Sequence, residues 1–270
     1  MIRRHRSAAA AALAASLLVA GGCGDGRVIR VCADPNNLPF SNEAGEGFEN
    51  RLAELLAGDR GARLEYTWWA QRRGFVRNTL QAGACDVVMG VPSAFELTRT
   101  TRPYYRSTYV FATRRDRVTR LASLDDPRLG DLKIAVQMIG DDFSNTPPAH
   151  ALARRGLARN VVGFPVYGDY SQPAPLSAIV HAVDRGEVDA AVIWGPPAGY
   201  FAKTSRHPLE LTPVSPQADS ASLPFVFDIS MGVRLDDAAR QGELDDFIAR
   251  RRADIDRILD AYGVPRVGGR

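Results

Sequence analysis

The 270 residues are 45% apolar and 24% charged, a balance that excludes a disordered chain and permits a sizeable core. Lys and Arg number 34 against 31 Asp and Glu, and three of the basic residues, Arg3, Arg4 and Arg6, stand at the extreme N-terminus. Without them the balance is 31 against 31, so there is no global basic field for nucleic acid or for an acidic membrane.

Those three arginines precede an uncharged run from Ala8 to Ala20, then Gly21, Gly22 and Cys23. This is the layout of a bacterial export signal over residues 1–22, with an apolar run too short to anchor in a bilayer. "VAGGC" reads in two ways: as a lipoprotein site acylated on Cys23, or as an ordinary cleavage after the small pair. The expected compartment is the periplasm, with contact to the membrane only through a lipid on Cys23. After cleavage about 245 residues remain, enough for one large domain or two small ones. In an oxidising compartment Cys32 and Cys85 either form a disulfide or stay as two buried thiols.

An apolar strand from Val28 to Ala33 opens the folded region and breaks at Asp34 into "DPNNLPF". Phe48, Leu52, Leu55 and Leu56 then repeat at helical spacing, and Leu64 to Trp69 reads as an aromatic strand. A short helix is expected from Phe75 to Ala82, closed by Gly83, before the strand Asp86 to Val91. Arg114, Arg115, Arg117 and Arg120 read as a solvated connector. A second pass begins at Leu132 with "LKIAVQ" and a helix opening at Thr146 with Pro147 in its first turn. It continues through "NVVGFPV", a helix carrying Leu176, Ile179, Val180 and Val183 on one face, and "GEVDAAVIWGPP". Gly-x-x-Asp followed by small and β-branched residues occurs in both passes, Val28 to Gly83 spanning 55 positions and Leu132 to Gly186 spanning 54.

Strand, helix, strand, helix, strand implies right-handed parallel crossovers, so each pass makes a small α/β sheet covered by helices. "YYRSTYVFATRRD" and "LPFVFDISMGVR" read as the two extended crossings between them, and a C-terminal helix is expected from Gly242 to Tyr262. The expected architecture is α/β, two lobes joined by two hinge strands with a central cleft. Lobe 1 takes residues 27–111 and 228–270, and lobe 2 takes 112–227. Ligands of open α/β sheets bind beyond the carboxyl ends of the strands, here the edge facing the cleft.

Over nearly its whole mature length the chain resembles the type 2 periplasmic binding proteins, through "IRVCADPNNLPFSN", "GEGFENRLAELLA", "GACDVVMGV", "TRPYYRSTYVF" and "MGVRLDD". Within that superfamily "YTWWAQRRGFVRNTL", "DDFSNTPPAHALARRG" and "VIWGPP" are similar to the MoxJ and XoxJ group. The resemblance implies a non-catalytic accessory that engages or assists maturation of a PQQ-dependent methanol or alcohol dehydrogenase. The implied partners are that dehydrogenase and its c-type cytochrome. The alternative is a solute receptor of an ABC importer, with the permease as partner and an uncharged or aromatic ligand. A third reading, an enzyme of the prephenate-dehydratase kind, would use Glu46 or Glu49, which are explained with less assumption as helix-start acids.

Two anchors usual in amino-acid receptors are missing from their places. Ser93 and Ala94 stand where an Arg grips the ligand carboxylate, and Trp194, Gly195 and Pro196 where an Asp meets its amine. The expected cleft wall consists of Asp34, Asn36, Asn37, Phe40, Trp68, Trp69, Arg72 and Pro92 from the first lobe. Tyr104 and Tyr105 come from before the hinge, and Asp141, Asp142 and Trp194 from the second lobe. Gln71 and Arg73 flank Arg72 as a further carboxylate or partner contact. His150, His181 and His207 stand in no zinc or nucleophile motif, and no third acid joins Asp141 and Asp142 at calcium-loop spacing. No metal, cofactor or catalytic residue is expected.

Overall fold

The computed structural model describes residues 26–139 and 145–268. Residues 1–22, Cys23, Asp141 and Asp142 lie outside the described residues.

The first half contains β1 (Val28–Ala33), α1 (Phe48–Arg60), β2 (Arg63–Trp68), α2 (Phe75–Asn78) and β3 (Val87–Pro92). The long strand β4 (Tyr105–Arg114) leaves it for β5 (Ile134–Met138), α3 (Pro147–Arg154), β6 (Val161–Pro165), α4 (Ser177–Arg185), β7 (Ala190–Trp194), α5 (Gly195–Ala202) and β8 (Leu209–Pro213). Strand β9 (Val226–Val233) returns to α6 (Ala238–Arg250) and α7 (Arg252–Ala261). Hydrogen bonds order the strands β2-β1-β3-β9-β4-β7-β5-β6. β1 is parallel to β2 and β3, and β5 is parallel to β6 and β7, so both passes share the order second, first, third.

The repeated Gly-x-x-Asp has the same physical job in each half. Gly83 and Gly186 take left-handed backbone (φ 73° and 71°), which stops the preceding helical turns without steric cost. The Asp backbone then pairs with the first strand: Asp86 N–H donates to the Arg30 carbonyl (2.7 Å) and Asp189 N–H to the Lys133 carbonyl (2.9 Å). Asp86 also receives a bidentate fork from Arg30, at 3.0 and 2.9 Å. Each repeat thereby sets the register between its first and third strands.

β4 and β9 join the halves. Tyr105–Thr108 pairs antiparallel with Val226–Ile229, whereas Tyr109–Trp194 begins the pairing of β4 with β7. β4 thus exchanges partners between Thr108 and Tyr109. The chain end adds a third tie, since Ser107 Oγ donates to the Pro265 carbonyl (2.6 Å) and Lys203 Nζ to the Ala261 carbonyl (2.6 Å). Gly199 permits this approach: a Cβ there would lie 1.9 Å from the Gly263 carbonyl oxygen.

One core lies under α1, α6 and α7, with Phe48, Leu52, Met231, Phe247, Ile255 and Leu259 shut off from water. Burial of each such side chain stabilises by about 1.5–3 kcal/mol. The second half has cores on both faces of its sheet, around Phe111, Ile134 and Leu152 and around Ile179, Val183 and Ile193.

Three local expectations are corrected. α2 stops at Asn78, where Thr79 turns its hydroxyl onto the Phe75 carbonyl (2.7 Å) and competes for a helical acceptor. The C-terminal helix starts earlier, at Ala238, capped by Asp237 accepting from Arg240 N–H, and breaks at Arg251 into two. Arg114 is buried rather than solvated, held by Asp116 and the Asp184 carbonyl.

Cys32 and Cys85 are joined in a disulfide, Cα to Cα 5.4 Å, linking β1 to the turn before β3. It closes a loop of 53 residues, which in the chain-entropy description removes about 4 kcal/mol of freedom from the unfolded chain. Replacing both cysteines by serine should lower unfolding free energy by up to about that amount. Urea titration of the wild type, with and without reductant, and of the double variant checks this.

Candidate ligand-binding cleft

The carboxyl ends of β1, β3, β5 and β7 all run toward the junction of the halves, and a cavity of about 620 Å³ lies between them. Its walls are mainly apolar. Phe40, Phe75, Val88, Val91 and Phe95 come from the first half, and Ile139, Val166, Leu176, Trp194 and Pro197 from the second. Tyr105, Tyr109, Phe227 and Ile229 come from the crossing strands. Trp194 packs edge-on against Tyr109 (5.4 Å between centroids) and Phe227 (5.8 Å), an aromatic cluster astride the crossing. Edge-to-face packing of this kind fixes the rings against one another.

Glu49 puts an acid into this apolar space. Phe48 and Glu49 donate their N–H groups to the Pro39 and Phe40 carbonyls (2.8 and 2.9 Å), so the loop satisfies the first turn of α1. Gly47 allows that approach, since a Cβ there would sit 2.0 Å from the Phe40 carbonyl oxygen. The Glu49 carboxyl then lies against Gly90, where a Cβ would meet Oε1 at 2.2 Å. Burial above all, with the charge of Asp34, holds its pKa up to about 8. Arg72, Arg73 and Arg77 are exposed residues lining the same cavity.

The gap therefore holds ionic groups although the two usual receptor anchors are absent from their places. Its acid and guanidinium groups come from positions other than the usual receptor anchors. Glu49 is more than a helix-start acid, and the sequence signal for this is its place directly after Gly47-Phe48, opposite the "PF" turn it bonds.

Asn37, Phe40, Arg72, Pro92, Tyr105 and Trp194 line the cavity. Asp34 and Asn36 do not, and serve instead as a clasp between the lobes. Asp34 is 2% exposed; it accepts from Asn36 N–H (2.8 Å), Gln71 N–H (2.6 Å) and the Tyr170 hydroxyl across the gap. Asn36 Nδ2 donates to the Gln172 carbonyl (3.0 Å), and its Oδ1 accepts from Ala174 N–H (3.3 Å). The Arg72 guanidinium lies 4.7 Å above the Tyr170 ring. Burial and the Asp34 carboxylate raise the Tyr170 phenol well above its usual pKa. Nothing in the local pattern of "VYGDYSQPAP" announces Tyr170 as Asp34's partner, because the contact exists only across the cleft.

Three aromatic expectations are corrected as well. Trp68 stacks on Tyr66 (4.5 Å) against the first core, and Trp69 points outward, 47% exposed. Tyr104 is fully buried behind Gly90, its hydroxyl without a hydrogen-bond partner among the described residues. Among the described residues no group of three or more His, Cys, Asp or Glu side chains is placed to hold a metal, and no helix is long and apolar enough to cross a membrane.

Two α/β lobes joined by two crossing strands over a central cleft make this a type 2 periplasmic binding protein fold. No protein-family model matches the chain. It is 32% identical over 254 residues to Protein MoxJ of Methylorubrum extorquens, covering 89% of this chain and 82% of the relative. It is 30% identical over 280 residues to Protein MoxJ of Paracoccus denitrificans, covering 98% of each. The crystal structure of periplasmic binding protein XoxJ from Methylobacterium extorquens AM1 matches with a TM-score of 0.73 at 33% identity, over 89% of this chain and all of that one. The chain belongs to the MoxJ family of periplasmic-binding-protein-like proteins.

Two outcomes follow from this geometry. Tyr170→Phe removes the inter-lobe hydroxyl and Asn36→Ala two further bonds, each worth about 1–3 kcal/mol when one partner is left unmet. The variants should show a larger radius of gyration by small-angle scattering than the wild type. For Glu49 the folded pKa lies above the ordinary glutamate value of 4.5, so stability declines as pH rises from about 4.5 toward 8 while the unfolded chain sheds its proton first. Glu49→Gln should therefore raise the melting temperature at pH 8 and leave it nearly unchanged at pH 4, as thermal scans at the two values would show.

Proposed function

We propose that this protein is a non-catalytic periplasmic accessory that engages a PQQ-dependent methanol or alcohol dehydrogenase, or assists its maturation. Family membership supports the reading, and one structural observation carries it. Where an amino-acid receptor would place an acid for its ligand's amine, Trp194 stands instead, locked against Tyr109 and Phe227. At the other usual anchor Ser93 holds Ser230 (2.7 Å) rather than offering a guanidinium. The cavity thereby suits a larger, partly apolar group better than a free zwitterion. Its rim carries Arg72, Arg73, Arg77 and the exposed Ile139, a mixed surface of the kind proteins use for contact. The dehydrogenase's c-type cytochrome is the further partner.

The solute-receptor reading has one observation in its favour, the clasp of Asp34 and Asn36 on the opposite lobe, since closure around a small molecule uses such contacts. Capture separates the two. The tagged protein, incubated with periplasmic extract, should retain the quinoprotein dehydrogenase in its apo or its PQQ-loaded form. Retention of neither form, together with recovery of an ABC permease from solubilised membranes, would count for the receptor.

A further inference from the structure

We propose that the floor of the cleft binds a protonated amine carried on an apolar stem, with the Glu49 carboxylate as its counter-ion. The inference rests on the reading of this cavity as the protein's engagement site and adds the chemistry of what enters it.

Glu49 is the one acid among the described residues lining the cavity. Its carboxyl has no side-chain hydrogen bond or ion pair among the described residues, and its environment is set by burial and the charge of Asp34. A helix-start role does not account for it. The loop carbonyls of Pro39 and Phe40 already occupy the N–H groups of Phe48 and Glu49. Glu46, just before the helix, is exposed and pairs with Asn42 (2.8 Å) in the ordinary way. Glu49 is half-buried at the cavity wall, where ionising it without a partner costs free energy that a cation entering the cavity would offset.

Gly90 supports the same conclusion. A Cβ there would meet Glu49 Oε1 at 2.2 Å and lie 3.7 Å from the Tyr104 hydroxyl, which is itself fully buried and unpartnered. The Glu49 carboxyl thus faces the cavity across Gly90, a wall residue with no side chain, and the buried Tyr104 hydroxyl behind it has no partner among the described residues. A carboxylate accepts only, so the group that satisfies it is rich in donors, and an ammonium has three. The Phe40 and Tyr105 rings in the same wall favour a cation by their electron-rich faces and accommodate an apolar stem. The exposed Arg72 and Arg77 then favour a ligand whose outer end carries acceptor or acidic groups.

A small amine and a lysine side chain of a partner polypeptide present this same chemistry. Calorimetric titration of the purified full chain tests it with hexylamine, 6-aminohexanoate and hexan-1-ol as probes. An acetyl-Gly-Lys-Gly amide peptide and its ε-acetylated form are titrated beside them. The titratable groups around Glu49 are Asp34, Tyr66, Tyr104 and Tyr105, of which Asp34 is held by Asn36, Gln71 and Tyr170. Below about pH 8 the amine must displace the Glu49 proton, so its affinity should rise about tenfold per pH unit and then level off.

The expected result is hexylamine or 6-aminohexanoate bound at least about tenfold more tightly than hexan-1-ol at pH 8, with proton release to the buffer. Glu49→Gln should abolish that preference. Gly90→Ala, which pushes the carboxyl aside while keeping its charge, should weaken it. Binding of the lysyl peptide but not its acetylated form identifies a polypeptide source, and binding of the simple amines alone a small molecule. Equal affinity for amine and alcohol, affinity that falls with rising pH, or an unchanged preference in Glu49→Gln overturns the proposal. Should the variants fail to fold, the amine-to-alcohol comparison and its pH profile on the wild type decide alone. Dehydrogenase capture without an amine preference would sink this inference and leave the accessory reading standing; an amine preference without capture does the reverse.

Discussion

The pairing of Tyr105–Thr108 with Val226–Ile229 is the constraint on which the rest of the molecule depends. Without those antiparallel bonds, the two α/β units would be held by side-chain and chain-end contacts such as Asp34 with Tyr170, Asn36 with Gln172 and Lys203 with Ala261. With them, the carboxyl ends of the parallel strands from both units face the same gap. The partner exchange of β4 at Thr108 and Tyr109 puts the crossing directly under Trp194 and Phe227. The same few residues hold the lobes and line the cleft, so lobe position and cavity shape are coupled.

That coupling explains the division of labour within "DPNNLPF". Asp34 and Asn36 reach the opposite lobe, whereas Asn37 and Phe40 remain on the cavity wall. The turn itself is supported from behind, since Ser41 Oγ donates to the Asp34 carbonyl (2.8 Å) and accepts from its N–H (3.1 Å). A loop so heavily bonded to its own lobe can carry inter-lobe contacts without losing the carbonyls that seat α1. Glu49 inherits its position from this arrangement.

Much of the fold was legible in the chain. The two passes, their Gly-x-x-Asp joints and the two extended crossings follow from period, punctuation and offset, because those signals depend on neighbours within a few residues. Local exceptions arose where a side chain competed with backbone hydrogen bonding, as Thr79 does at the end of α2 and Asp237 at the start of α6. The candidate site was legible in part. Loop ends such as Asn37, Phe40 and Trp194 reach the cavity because strand carboxyl ends must; Trp68, Trp69 and Tyr104 do not, because the facing of each ring depends on its twist and neighbours.

By itself the sequence determined the duplicated α/β plan, the family resemblance, and which loops could reach a common edge. All of these rest on short-range periodicity and on residues whose backbone preferences act alone. Only the tertiary structure decided that Asp34 would meet Tyr170, that Cys32 would bond Cys85, and that Glu49 would face the cavity across Gly90. Each of these joins residues between 41 and 136 positions apart, and such contacts are set by how rigid sheets stack, a quantity no local pattern encodes.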